Sequence, residues 1–352
     1  MVLAPVHCVV RALSTLRSLG LGLSSNWTLQ KTARASSVLG LLVLRTSSVS
    51  RQSSSRMATS SPSPASSPST PSTPSPSTSG NLALDQIRDG RVLVVGASRG
   101  LGRELVRALA QPGLGNTIFA TVRREVDAAS LRAELGEGLA LVVADVELAD
   151  EDAAQRLSSA LASHDAALRL DHVIVNAGYF TTETLEELHA SEQRLMIEVC
   201  ALAPLRVVQT LVLGGVLTRG GRVTLLTSEG GSIGLRTERE GGANYGHHMS
   251  KAAANMMGRL LAWDLKPRGI AVVMVHPGFL RTTMTSHYAH LYDQFGAVEA
   301  SEAAPYVLAA AASVTLQSTG RFVAAMGARG LGLGVYALEH PEDLGPGGDL
   351  PW

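Results

Sequence analysis

A glycine-rich turn between an apolar run and an amphipathic stretch, within VLVVGASRGLGRELVRAL at 92–109, constrains the fold of this chain most. Residues 92–95 have the length of a buried strand, and the residues after the turn repeat with helical periodicity. Gly96, Gly100 and Gly102 allow a tight reversal, and they let a pyrophosphate approach a helix N-terminus, where the dipole favours an anion. The spacing G-x-x-x-G-x-G differs from the dinucleotide fingerprint, so a plain turn is the alternative to the nucleotide site that the flanking strand and helix predict.

From about residue 88 onward, short apolar runs alternate with amphipathic segments. The runs LVVA, HVIV and AVVMV are apolar throughout, as strands buried on both faces should be. We therefore expect residues 85–352 to form one Rossmann-type, doubly wound α/β domain, with a parallel sheet of about seven strands and helices on both faces. The predicted strands are 91–95, 117–122, 139–144, 171–175, 221–227, 270–275 and 321–325, and the predicted helices are 100–111, 128–135, 150–163, 191–213, 245–265 and 301–316.

The N-terminal segment has a different composition from the rest of the chain. No Asp or Glu precedes Asp85, whereas seven Lys or Arg do, and residues 59–79 are almost only Ser, Pro, Thr and Ala. An acid-poor, Arg- and Ser-rich start is typical of an organelle transit peptide, and a Ser/Pro/Thr run cannot bury an apolar face. We expect a transit peptide at 1–58 and a disordered linker at 59–84, with the chloroplast ranked ahead of the mitochondrion. A merely disordered tail is the alternative.

Charge balance and the length of the apolar runs argue against two classes of partner. Removing those seven basic residues from the 30 Lys and Arg leaves 23 against 30 Asp and Glu, so the remaining domain is mildly acidic and has no basic patch suited to nucleic acid. The apolar run 38–44 is much too short to cross a bilayer. We therefore expect neither nucleic acid nor a membrane as a partner, and we expect no metal site.

Four motifs together resemble one protein family. GASRGLG at 96–102 follows the first predicted strand, ADV at 144–146 the third, NAG at 176–178 the fourth and HPGFLRT at 276–282 the sixth. In this order they resemble the short-chain dehydrogenase/reductase superfamily, in particular its carbonyl-reductase-like members. The resemblance implies a bound nicotinamide dinucleotide, with adenine beside the ADV motif and the carboxamide beside the Pro-Gly turn. It assigns cofactor binding to Gly96, Ser98, Arg99, Gly100, Leu101, Gly102, Asp145, Val146, Asn176, Ala177, Gly178, Lys251, Pro277, Gly278 and Thr282.

The end of the second predicted strand indicates which dinucleotide would bind. An NAD site of this fold usually has a carboxylate there, bonded to the ribose 2′-hydroxyl. Here the strand TIFATV ends in Arg123 and Arg124, and Arg99 lies in the glycine loop. Guanidinium groups pair bidentately with phosphate, so we expect NADP(H), bound through Arg123 and Arg99, rather than NAD(H). The alternative is that Arg123 and Arg124 are solvated loop charges.

The residues expected to carry the chemistry depart from the family pattern at two positions. By the resemblance, members use a Ser, a proton-donating Tyr, a Lys four residues after the Tyr, and an Asn on the preceding long helix. Ser228 and Lys251 match this pattern. His247 stands four residues before Lys251, in place of the Tyr, and Cys200 stands in place of the Asn. Tyr245 is six residues before Lys251, which is off the helix face that Lys251 shares with His247.

Three interpretations of this set remain open. In the first, His247 is the general acid: its ordinary pKa of about 6.5 suits neutral pH, although a nearby Lys251 cation would depress it. In the second, a shifted helix start brings Tyr245 to the substrate. In the third, the domain binds NADP(H) with little or no turnover, as a redox sensor or scaffold.

The resemblance also carries expectations about substrate and partners. It implies NADP(H)-dependent hydride transfer to a small carbonyl compound, or from the corresponding alcohol, with Ser232 as a reserve for Ser228. Members often form homodimers through two long helices, here 191–213 and 245–265, and some are monomers.

Overall fold

A computed structural model describes residues 86–352. They belong to one compact unit. The predicted transit peptide at 1–58 and the predicted linker at 59–84 lie outside the described residues and stay predictions.

The described residues form a central eight-stranded sheet and a separate two-stranded pair. In chain order the strands are β1 (Arg91–Val95), β2 (Thr117–Thr121), β3 (Leu141–Val143), β4 (Leu170–Val175), β5 (Leu217–Leu226), β6 (Ala271–His276), β7 (Leu280–Arg281), β8 (Val298–Glu299), β9 (Arg321–Ala324) and β10 (Gly348–Asp349). The central order is β10-β9-β6-β5-β4-β1-β2-β3. All its pairs are parallel except β10, which runs antiparallel to β9. The predicted doubly wound parallel sheet is therefore confirmed, and the antiparallel edge strand is an addition that the glycine-rich C-terminal sequence did not indicate.

Helices cover both faces of this sheet. They are α1 (Gly100–Leu109), α2 (Glu125–Leu135), α3 (Ala153–His164), α4 (Ala190–Ile197), α5 (Ala203–Leu213), α6 (Tyr245–Leu265) and α7 (Ala300–Ser313). Val92 and Val94 of β1 pack with α1, α2 and α7, whereas Leu93 and Val95 pack with α3, α5 and α6. Because successive strand residues point to opposite faces, both sets are buried, which explains why this strand is apolar at every position.

The prediction of a continuous helix at 191–213 is wrong in one respect. It is divided by a π turn over Glu198–Leu202, between α4 and α5. Pro204 lies in the first turn of α5 and has no N–H to donate to the carbonyl of Cys200, four residues earlier, so the helix widens there. By length and composition alone, Ala190–Leu213 could cross a membrane, with a mean hydropathy of 1.7, but half of that apolar window is buried inside the fold.

A short segment after β6 covers one end of the sheet. The strands β7 and β8 pair with each other, and between them Ser286–Leu291 forms a 3-10 helix. The sequence did not indicate these elements. The other predicted strands and helices are present, with ends shifted by at most four residues.

Two buried histidines make the free energy of unfolding depend on pH. Burial lowers the pKa of His172 and that of His276 from 6.5 to about 4, and the Arg222 guanidinium, 3.2 Å from Nε2 of His172, contributes to the shift of His172. The unfolded chain takes up these protons first, so stability is fully present above pH 6.5 and is lost as the pH falls toward 4. We expect each histidine to remove about 3 kcal/mol of unfolding free energy across that range.

Urea unfolding of the wild type and of a His172→Gln variant between pH 5 and 7 measures this effect. The variant should show a shallower dependence of the unfolding free energy on pH, whereas His340→Gln, at an exposed position, should not. Equal slopes in wild type and His172→Gln would contradict the assignment.

Candidate active site

A cleft of about 960 Å³ lies at the carboxyl ends of the central parallel strands, the edge where open α/β sheets bind ligands. It brings together most of the residues that the sequence singled out. The predicted cofactor residues that line it are Gly96, Ser98, Arg99, Gly100, Leu101, Arg123, Val146, Asn176, Ala177, Gly178, Pro277, Gly278 and Thr282. The predicted catalytic residues that line it are Ser228, Tyr245, His247 and Lys251.

Two of the predicted cofactor residues lie outside that lining. Gly102 is buried in α1, where its lack of a side chain allows close packing. Asp145 is exposed with a left-handed φ of 56°, and its backbone carbonyl accepts a hydrogen bond from Arg156, at 3.1 Å. The next residue, Val146, lies in the cleft. The structure therefore places the backbone of the ADV turn at the site without placing the Asp145 carboxylate there.

The glycine loop forms a cradle that side chains would fill. A Cβ at Gly96, whose φ is +89°, would lie 2.7 Å from the Cβ of Ala177. A Cβ at Gly102 would lie 2.0 Å from the carbonyl oxygen of Gly96 and 2.5 Å from Nδ2 of Asn176. That amide donates to the same carbonyl oxygen at 2.8 Å. Because Arg99 gives α1 no side-chain cap, the first N–H groups of this helix have no side-chain acceptor there and suit the pyrophosphate of a dinucleotide.

The arginines at the end of β2 are not equivalent. Arg123 lines the cleft, where a nitrogen of its guanidinium lies 3.7 Å from a Glu147 oxygen. Arg124 is outside the lining and pairs with Asp127 through two hydrogen bonds of 2.8 and 2.9 Å. Arg99 joins Arg123 in the cleft. Of the two strand-end arginines, only Arg123 is therefore placed to contact a 2′-phosphate.

The amine of Lys251 and the thiol of Cys200 both lie near Gly178. A Cβ at Gly178 would lie 3.8 Å from Nζ of Lys251 and 3.9 Å from Sγ of Cys200. Nζ donates to the carbonyl of Leu226 at 3.2 Å. The buried Cys200 donates to the carbonyl of Tyr179 at 3.5 Å and does not line the cleft. The absence of a side chain at Gly178 leaves the space next to the lysine open.

Ser228 lines the cleft, and its hydroxyl oxygen already has a donor. The N–H of Gly230 donates to Oγ of Ser228 at 3.0 Å, so the oxygen accepts from the backbone and its own proton stays available. The reserve candidate Ser232 is not placed to act: it is buried, and its hydroxyl donates to the carbonyl of Pro351 at 2.7 Å.

His247 lies one helical turn before Lys251, on the same face of α6. Its ring meets Phe180 edge-on, with centroids 4.8 Å apart. Burial, together with the positive charge of Lys251, holds the pKa of His247 well below 6.5. The imidazole is therefore neutral at neutral pH and can donate one hydrogen bond.

Tyr245 begins α6, and the helix is regular from that residue onward. Six residues of helix place Tyr245 and Lys251 about 120° apart around the axis. The Tyr245 hydroxyl lies against the loop, 3.4 Å from where a Cβ of Gly242 would be. The helix start is therefore not shifted, and the structure brings His247, not Tyr245, onto the lysine face.

Charged side chains of the 229–244 loop form a partly buried cluster beside the cleft. Arg236 pairs with Glu229 and, at 3.0 Å, with Glu240. Its Nη1 also lies 3.1 Å from Nε2 of His248. Burial raises the pKa of Glu229 and of Glu240, and the Arg236 charge opposes that shift. The cluster fixes the loop to α6, and no residue spacing could have indicated it.

Comparison with known proteins agrees with this fold. The chain is 29% identical over 235 residues to 1-hydroxy-2-glutathionyl-2-methyl-3-butene dehydrogenase of Rhodococcus sp. (strain AD45), covering 66% of this chain and 94% of that protein. The fold is similar to NADPH-bound carbonyl reductase from chicken fatty liver, with a TM-score of 0.59 and 22% identity over 75% of this chain and 100% of that one. It is also similar to a short chain dehydrogenase from Burkholderia cenocepacia J2315 in complex with NADP, with a TM-score of 0.57 and 25% identity over 68% and 97%.

The doubly wound sheet, its glycine cradle and the Ser228, His247 and Lys251 side chains around one cleft define a Rossmann-fold oxidoreductase. The model of the short chain dehydrogenase family matches residues 91–292. The chain belongs to that family.

Proposed function

We propose that this protein reduces a small carbonyl compound to an alcohol with NADPH. The observation that carries the proposal is the convergence of Ser228, His247 and Lys251 on a single cleft that also contains Arg99 and Arg123. NADP-bound and NADPH-bound proteins of similar fold support it.

The residues of the cleft fit this cofactor. The glycine loop and the first N–H groups of α1 would hold the pyrophosphate, Arg99 and Arg123 the 2′-phosphate, and Lys251 the nicotinamide ribose. When bound, NADPH supplies a hydride to the carbonyl carbon.

The protein then has to deliver a proton to the carbonyl oxygen. The Ser228 hydroxyl donates a hydrogen bond to this oxygen and orients it. His247, once protonated, transfers its proton to the oxygen and returns to the neutral imidazole, and solvent restores the proton. Because the pKa of His247 is low, the imidazolium is scarce at neutral pH, so we expect turnover to rise as the pH falls.

NADPH oxidation by the purified chain, measured against a panel of aldehydes and ketones, tests this function. NADPH binding is titrated in parallel by fluorescence. Binding with turnover and with formation of the alcohol is expected. Binding of NADPH without turnover of any carbonyl compound would contradict the proposal. It would instead favour the interpretation as a redox sensor or scaffold.

Removing either cleft arginine should weaken the binding of NADPH more than the binding of NADH. We expect Arg123→Ala and Arg99→Ala each to weaken NADPH binding about tenfold or more, since each loses a charge-assisted contact with phosphate, and to change NADH binding less than about twofold. Arg124→Ala, at the neighbouring residue paired with Asp127, is the matched control and should change neither. Equal losses for NADPH and NADH would contradict the 2′-phosphate assignment.

We also propose that two copies pair through the long helices predicted as an interface. Exposed apolar side chains follow one line on each: Leu202, Leu205 and Leu213 at and after the π turn, and Met256, Leu260 and Trp263 on α6. Size-exclusion chromatography with light scattering should show a dimer that becomes monomeric in Leu205→Glu/Met256→Glu. Val126→Glu, at an exposed apolar residue of α2, should remain dimeric. A monomeric wild type would contradict the pairing.

A further inference from the structure

The helix that carries His247 and Lys251 has no cap from its own N-cap residue. Asn244 occupies that position with a left-handed φ of 50° and makes no side-chain hydrogen bond to the helix. Its amide is used elsewhere: Nδ2 donates to the Tyr288 hydroxyl at 2.8 Å, and Oδ1 accepts from the N–H of Glu183 at 3.4 Å. The first N–H groups of α6 therefore need another acceptor.

The side chain of Glu183 supplies that acceptor from a distant loop. Its Oε1 accepts from the N–H of Gly246 at 2.5 Å, and its two oxygens accept from Nε2 of Gln193 on α4 at 3.0 and 3.1 Å. Its backbone carbonyl accepts from the N–H of Asn244 at 2.9 Å. Glu183 is only 3% exposed. It therefore fastens three segments at once: its own loop, α4 and the start of α6.

The carboxylate remains charged at this place. Burial raises the pKa of Glu183, but the hydrogen bonds from Gly246 and Gln193 outweigh burial and lower the pKa below its ordinary value. A negative charge at a helix N-terminus is favoured by the helix dipole. The contact therefore persists across the pH range in which a reductase would work.

We propose that Glu183 is a positioning residue. By capping the N-terminus of α6 from a distant loop of the same chain, it determines the position of the His247 imidazole. Gly246, which receives the cap, immediately precedes His247, and Phe180, three residues before Glu183, packs against the His247 ring. One loop thus fixes both the backbone and the ring of this histidine. The catalytic part of this inference rests on the proposed reductase function.

The tightness of the packing explains why the cap controls position. A Cβ at Gly246 would lie 2.4 Å from Cε of Met196 and 3.2 Å from the Cα of Gln193 on α4. The first turn of α6 is therefore held close to α4, and the Glu183 bridge spans that contact. Loss of the Glu183 carboxylate therefore releases the first turn of α6 and leaves the hydrophobic core around the sheet intact.

Hydrogen exchange and kinetics on the full chain test the proposal. Glu183→Ala should speed amide exchange in the peptide that covers 244–251 about tenfold, and it should lower kcat about tenfold with KM for NADPH within about twofold. Glu183→Gln keeps an acceptor oxygen for Gly246 and should recover part of both losses. It also serves if the alanine variant folds poorly. Glu186→Ala, an exposed Glu of the same loop, is the matched control and should change neither quantity.

The outcomes separate this proposal from the reductase proposal. Unchanged exchange in Glu183→Ala overturns it, and so does faster exchange with an unchanged kcat, since Glu183 would then be structural only. If the wild type has no turnover, the reductase function fails by itself. The positioning role is then decided by the imidazole resonance of His247, identified by its loss in His247→Gln. A resonance that is shifted in Glu183→Ala and returns toward its wild-type position in Glu183→Gln supports the role, and one that is unshifted in Glu183→Ala overturns it.

Discussion

Replacing His247 by tyrosine should raise kcat for carbonyl reduction about 100-fold at pH 7.5, the gain typical of a well-placed general acid. The wild-type imidazole is neutral at that pH because burial and Lys251 lower its pKa, whereas a tyrosine at this helix position carries its proton throughout. In the wild type, kcat should fall about tenfold per pH unit between pH 6 and 8, and the His247→Tyr variant should lose that slope. Initial rates of NADPH oxidation at saturating substrate measure both effects.

His247→Ala completes the comparison. It should lower kcat about 100-fold at pH 6 while leaving the affinity for NADPH within about twofold, since the proton donor is lost and the cradle is not. His290→Ala, at an exposed histidine of the covering segment, is the control. Equal rates for wild type and His247→Ala would remove the imidazole from the mechanism.

Gly102→Ala should abolish measurable binding of NADPH, a loss of at least about 100-fold. The added methyl group would lie 2.0 Å from the carbonyl oxygen of Gly96, so the glycine loop must move away from α1. The displaced backbone is the part that would hold the pyrophosphate. Overpacking of this kind costs about 1–3 kcal/mol of stability as well, so the melting temperature should fall. Fluorescence titration and thermal unfolding measure the two effects.

A second glycine provides the control for this substitution. Gly345 has no atom within 4 Å of its Cβ position and an ordinary φ, so Gly345→Ala should leave NADPH binding and melting temperature unchanged. Normal binding by Gly102→Ala would mean that the cradle does not hold the cofactor.

The sheet and the cleft were predictable because they depend on local patterns. An apolar run such as Val92–Val95 determines a buried strand, and a glycine triplet determines where backbone groups approach closely. The π turn had a local cause as well, in Pro204, but the long apolar stretch around it obscured that cause.

The long-range contacts of the site were not predictable in this way. Glu183 is one of several acids in TTETLEEL, and its contact with Gly246 joins residues 63 positions apart. The pairing of Arg236 with Glu229 and Glu240 depends equally on how the loop folds back on α6. Periodicity reports which face of an element is buried, and it carries no information about which polar groups meet across the fold.

The hydrogen bond from Ser232 to Pro351 has a consequence for how the protein is made. A second bond joins the N–H of Gly234 to the carbonyl of Trp352 at 2.8 Å, so the segment that follows Ser228 is held by the far C-terminal residues. During synthesis, the strands and helices before this point can pair as they leave the ribosome. The segment that follows Ser228, however, gains these two hydrogen bonds only after Pro351 and Trp352 have left the ribosome.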